Sequence, residues 1–177
     1  MKLFAVYLGG RIKWCHVEMH DVQFSIGESI EDCYTDLQQK RCGSAQCHID
    51  AFLELKYVDG YEISFADTPQ VSDNKLYFVN AGGYDPQKFG ENHAIGFYVA
   101  PSPPAATKKA LAVLCAGEEK KHQDDLYDVD DCFALEKVRD KYIVFTPTHL
   151  TQDFLPMYYG YGTLDKPLSE KIIHHNY

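Results

Sequence analysis

The chain has 177 residues, 45% of them hydrophobic and 24% charged, enough for one full domain or two small ones packed together. Seventeen basic residues against twenty-six acidic ones leave a net charge of −9, with Lys and Arg scattered along the chain. This excludes the basic face that DNA, RNA or an anionic membrane surface requires, and no apolar run approaches the roughly 18 residues of a membrane-spanning helix.

Thirteen Tyr and ten Phe lean the composition toward sheet, because both fit a pleated, half-buried surface. The first predicted element is a strand, "KLFAVYLGG" (residues 2–10), closed by Gly9-Gly10. A second strand, "DVQFSIG" (21–27), places Val22, Phe24 and Ile26 on one face. In "SIEDCYTDLQQKRCG" (29–43), Ile30, Cys33, Tyr34 and Leu37 fall at helical spacing, with Ser29 at the N-cap and Gly43 as the left-handed stop. Then "DAFLELKYV" (50–58) and "YEISFAD" (61–67) flank Asp59-Gly60, a two-residue turn favouring type I′.

The same order returns. Shifting the chain by 73 lays residues 2–29 on 75–102, and the identities include Gly9/Gly82, Gly10/Gly83, Glu18/Glu91, His20/His93 and Phe24/Phe97. Ser102 caps the second helix, Pro103 takes its first position and Gly117 its stop. A shift of 74 matches His48 and Asp50 to His122 and Asp124, and a shift of 80 matches Leu55, Val58, Ile63 and Phe65 to Leu135, Val138, Ile143 and Phe145. The extra residues fall in the acidic run "HQDDLYDVDD" (122–131), which reads as a solvated loop.

The expectation is therefore an α+β fold: a tandem duplication of a strand-strand-helix-strand-strand unit, with antiparallel or mixed sheets about a pseudo-twofold axis. The repeats span 1–70 and 75–146 and pack as one globular unit, since a single copy has one helix to cover four strands. Residues 147–177 form a Tyr-rich C-terminal arm, irregular except for a short helix at "PLSEKII" (167–173). Tyr158, Tyr159 and Tyr161 either pack over a sheet surface or offer a binding surface.

Repeated apolar residues are explained by packing, so the repeated polar ones carry the functional signal. Glu18 and His20 share parity with Val22, and Glu91 and His93 with Ile95, which places each pair on the core side at the rim of a sheet. Two such pairs meeting near a pseudo-twofold axis would offer two imidazoles and two carboxylates, a donor set for a divalent metal. The competing role is a hydrogen-bonded anchor for the Gly-Gly loop. His48, Asp50, His122 and Asp124 are secondary candidates; in the first copy they sit opposite the Ala51/Leu53/Leu55 face, which predicts solvent exposure or a strand-start cap. No phosphate-binding glycine loop, nucleophile elbow or His-Glu-x-x-His motif is present. The six cysteines form no Cys-x-x-Cys pair, and the expected location is the cytoplasm with reduced thiols.

"KLFAVYLGG", "VEMHDVQFSIGESIEDCY" and "HIDAFLELKYVDGYEISF" together resemble the bacterial family known as domain of unknown function 1543, and "NKLYFVNAGGYDPQKFGENH" resembles the later part of two-copy members. The resemblance implies a bacterial, cytosolic protein and supplies no activity. Departures at Trp14, Cys15, Cys33, Cys42 and Cys47 count against a cysteine-based function. Two functional expectations follow. The first is a non-catalytic binding or protein-interaction module without an evident cofactor, whose partner is a protein or a small molecule, with homodimerisation left open. The second is a divalent-metal-binding protein or metal-assisted hydrolase built on the Glu-x-His pairs.

Overall fold

A computed structural model describes residues 1–40, 47–84, 87, 89–114 and 128–168. The first half runs β1 (Lys2–Gly10), β2 (Met19–Gly27), a 3-10 turn (Glu31–Cys33) leading into α1 (Tyr34–Lys40), β3 (Cys47–Glu54), β4 (Tyr57–Val58) and β5 (Tyr61–Ala66). The second half runs β6 (Lys75–Tyr84), β7 (Glu91–Ala100), α2 (Pro103–Leu114), β8 (Asp128–Leu135), β9 (Lys137–Val138) and β10 (Lys141–Pro147), and β11 (Tyr158–Thr163) follows. Among the described residues every strand pairing is antiparallel. The fold is α+β, and no described helix is long and apolar enough to cross a membrane.

Three sheets form, in the orders β11-β3-β1-β2, β7-β6-β8 and β4-β5-β10-β9. The last joins the halves: Ile63 faces Phe145, Ser64 faces Val144 and Phe65 faces Ile143. The run expected as one strand over 50–58 breaks at Leu55 and Lys56, because the hairpin beyond it leaves its own sheet for this joint one. Each hairpin tip then docks on the opposite half. Asp59 and Gly60 both adopt positive φ, as a type I′ turn demands. The Asp59 carboxylate accepts hydrogen bonds from the Val99 N–H (2.9 Å) and the Lys109 ammonium (3.0 Å). The Arg139 guanidinium, at the other tip, donates to the Ile26 carbonyl at 3.0 Å.

Alternation along β1 explains the layering. Phe4, Val6 and Leu8 face α1 and pack with Ile30, Cys33, Tyr34 and Leu37, so the expected apolar helix face is buried. Leu3 and Ala5 face the other way and join Phe24, Ile26, Leu76, Phe78, Phe97 and Val99 in a core shared by both halves. A third, smaller cluster lies under α2, around Tyr77, Val79, Ala106 and Ala110.

The helix starts differ. Ser102 caps α2 as expected, accepting from the Ala105 N–H at 3.4 Å, with Pro103 at the first position. Ser29 does not act as the expected cap, since the 3-10 turn has Ile30 before it and no side-chain cap. Instead Asp32 reaches back to accept from the Glu28 and Ser29 N–H groups, both at 3.0 Å, the returning half of a capping box. Gly43 and Gly117 lie outside the described residues. The arm also departs from expectation: residues 158–163 form a strand on the outer edge of β3, and residues 167 and 168 are not helical. The alternation of Tyr with small residues there suits an edge strand better than an irregular coil.

Candidate functional site

Gly9, near the end of the central strand β1, is flanked in register by His20 on β2 and His48 on β3. Beyond it, Leu8 pairs with Ile49 and Tyr7 with Ala51, so Asp50 is the extra residue of a β-bulge. β11 also breaks register against β3 here. A bulge changes the phase of the pleat and re-aims side chains. It brings His48 and Asp50 onto the same face as Ala51 and Leu53. Counting by twos along an unbroken strand had put them on the opposite face, and that expectation is corrected.

The side chains converge over Gly9. His20 Nε2 lies 3.1 Å from Asp50 Oδ2, His48 Nε2 lies 3.0 Å from Asp50 Oδ1, and His48 Nε2 lies 3.6 Å from Glu18 Oε2. A Cβ on residue 9 would stand 2.5 Å from His48 Nε2 and 2.6 Å from Asp50 Oδ2, so only glycine leaves room for the cluster. Both imidazoles are held flat against phenol rings. Tyr7 stacks on His20 with centroids 5.3 Å apart, and Tyr161 on His48 at 4.0 Å. Burial, with the Asp50 charge adding to it, raises the Tyr7 and Tyr158 phenols above the ordinary tyrosine range, so both stay neutral.

His48 is only 3% exposed, which overturns the expected solvent exposure. Its Nε2 and Asp50 Oδ2 are buried without an aligned hydrogen-bond partner, despite their short contacts. Unsatisfied buried polar atoms are uncommon and costly.

A related arrangement occupies the second half. Gly82 faces His93 and Asp128, and Asp130 is the residue skipped between Val129 and Asp131. His93 Nδ1 lies 3.3 Å from Asp130 Oδ2, its Nε2 lies 3.9 Å from Glu91 Oε2, and the Asn80 amide donates to Asp130 at 3.2 Å. A Cβ on Gly82 would meet Asp130 and Glu91. The two Glu-x-His pairs were expected to meet each other and do not; the histidine of each reaches the bulge aspartate of its own half. Asp130 was missed. The shift of 80 that aligns Leu55 with Leu135 reaches it when run five residues further back. His122 and Asp124, matched instead, lie outside the described residues.

The arm contributes unequally. Tyr158 is buried against Phe52, whereas Tyr159 and Tyr161 are largely exposed, Tyr161 with one ring face laid on His48. Next to the cluster, on the same face of the sheet, lies an apolar cleft of about 290 Å³. Tyr7, Val22, Ala51 and Leu53 line it from the first half, Ile95 and Phe97 from β7, and Phe154 and Pro156 from the segment before β11. Phe97 and Phe154 meet edge to face at 5.5 Å. Tyr7 belongs to both features, since it walls the cleft and stacks on His20. Among the described residues, no group of three or more His, Cys, Asp or Glu side chains is placed to hold a metal ion as the clusters stand.

Residues 15–65 match the family described as Domain of Unknown Function (DUF1543). The solved structure of protein Il1583 from Idiomarina loihiensis is similar to this chain, with 31% sequence identity and a TM-score of 0.74, covering 93% of this chain and 99% of that one. No curated protein matches.

Proposed function

The chain belongs to the same family as Il1583, and we propose that it is a non-catalytic binding protein that holds a small molecule with an apolar body in the cleft between its halves. The observation that carries this reading is the cleft itself. Its wall is almost wholly apolar, it continues the shared core outward, and one end opens on polar groups, the usual composition of a ligand site. Partly exposed Tyr7 and Phe154 supply ring surface at low entropic cost. The adjoining carboxylates favour a ligand whose polar end is neutral or cationic rather than anionic.

The cleft exists because the chain is a tandem duplication, a reading supported by the matched elements. β1 and β6 each pair with the next strand on one side and with a bulged strand on the other. The β5–β10 pairing is symmetric about Ser64 and Val144, which are 80 residues apart like the rest of the aligned hairpins. The units are 1–70 and 75–146, with 147–177 appended. A bacterial cytoplasm is the proposed location, and the free thiols of Cys15, Cys33, Cys47 and Cys132 suit a reducing compartment.

The test uses Nile red, a neutral aromatic probe. The parent protein is expected to bind it with enhanced fluorescence. Ala51→Trp, which fills the cleft from the centre of β3, is expected to abolish binding, and Phe154→Ala to weaken it. Unchanged binding in a folded Ala51→Trp protein, or no binding by the parent, would contradict the reading.

A further inference from the structure

We infer that the cluster over Gly9 is a binding site for a first-row divalent transition-metal ion, zinc being the reference case, with His20, His48, Asp50 and Glu18 as its ligands. The donor set is two imidazole nitrogens and two carboxylates, which suits zinc and its neighbours and is poor for calcium or magnesium, which prefer all-oxygen shells. Neighbouring donors lie near the required spacing. Ligands at roughly 2.0–2.1 Å in a tetrahedron sit about 3.3 Å from one another. Three of the separations, 3.0, 3.1 and 3.6 Å, are close to that edge, with Asp50 reaching His48 through Oδ1 and His20 through Oδ2.

A second, independent observation points to an occupant. The His48 ring is almost fully buried, its Nε2 aims into the cluster, and neither that nitrogen nor Asp50 Oδ2 finds an aligned hydrogen bond there. An ion would satisfy both atoms at once. The supporting shell is also present. Tyr161 and Tyr7 fix the planes of the two imidazoles, and the bulge aims Asp50 between them.

The four groups form a chain of contacts, Glu18 to His48 to Asp50 to His20, and do not yet form a closed cage. Glu18 and His20 are the members with room to close it. Glu18, 40% exposed, can swing inward, and His20, 35% exposed, can shift within the plane in which Tyr7 holds its ring. The second-half cluster has one histidine, His93, with no ring stacked on it among the described contacts, and Asp128 takes the register position of His48. It is expected to bind zinc much more weakly.

The experiment is calorimetric titration of zinc into full-length, tag-free protein stripped with chelator, with cobalt absorption as a second readout. We expect tight binding of a single ion by the parent. His20→Ala and Asp50→Asn are expected to weaken it by about a hundredfold or more, and His93→Ala to leave it unchanged. Both weakening substitutions change partly exposed side chains, and circular dichroism checks that each variant is folded. A His48→Ala protein that is folded is expected to lose binding too. The inference is overturned if the parent binds no zinc, if folded His20→Ala and Asp50→Asn bind it as the parent does, or if His93→Ala accounts for the loss.

Discussion

His48 and Tyr161 stack face to face with ring centroids 4.0 Å apart, although 113 residues separate them in the chain. The contact ties the added edge strand to the polar cluster of the first half. Tyr159 and Tyr161 are both largely exposed, but Tyr161 lays one ring face on the buried imidazole.

The glycines at the two clusters are expected to be intolerant of a methyl group. Gly9→Ala places a Cβ against His48 Nε2 and Asp50 Oδ2, and Gly82→Ala places one against Asp130 and Glu91. Overpacking of this kind costs about 1–3 kcal/mol. Urea denaturation should show the larger loss for Gly9→Ala, because His48 is buried and cannot swing away, whereas the second-half groups are partly exposed.

Asp59 links the halves through a single carboxylate oxygen that accepts two hydrogen bonds. Asp59→Ala leaves the Val99 N–H without that partner and should destabilise the protein by roughly 1.5–3 kcal/mol, the range for hydrogen bonds to charged groups. Asp59→Asn keeps an acceptor and tolerates the left-handed backbone, so a smaller loss is expected in the same denaturation experiment.

Much of this architecture was legible in the sequence, because it rests on local signals. Period-2 alternation identified β2, the spacing of Ile30, Cys33, Tyr34 and Leu37 identified the first helix, and Asp59-Gly60 identified the hairpin turn. The site was only half legible. Glu18, His20, His48 and Asp50 were all singled out by type, but their union depends on a bulge at Asp50. One extra residue reverses the face assignment of everything before it, and no residue type announces it. The sheet switch after Leu55 was hidden for a similar reason: its cause is a pairing with a strand some 80 residues away in the chain.

Tyr34 predicts a loss of stability in alkali. Burial, with Glu31 adding to it, pushes its phenol from 10.0 up to about 12. The unfolded chain therefore ionises first. The contribution is intact below about pH 10 and is lost as the pH rises from about 10 to 12. Tyr34→Phe should flatten the fall in melting temperature across that window.

Thiol reactivity should divide along burial. Cys33 is fully buried, and burial raises its thiol above the ordinary value, whereas Cys15 is partly exposed. Since the thiolate is the reactive form, iodoacetamide at neutral pH should modify Cys15 well before Cys33 in the native protein. Peptide mapping by mass spectrometry reads the order, and denaturant should erase the difference.

The central claim is that one face of β1, β2 and β3 is a continuous binding surface, running from the apolar cleft to the row of His20, Gly9 and His48. The most direct measurement is nuclear magnetic resonance of methyl-labelled protein titrated with Nile red, following the histidine side chains in the same samples. Perturbed methyl signals are expected for Val22, Leu53 and Ile95, with a change at His20 carried through the Tyr7 ring. Perturbations confined to residues away from that face, or none at saturating probe, would contradict the claim.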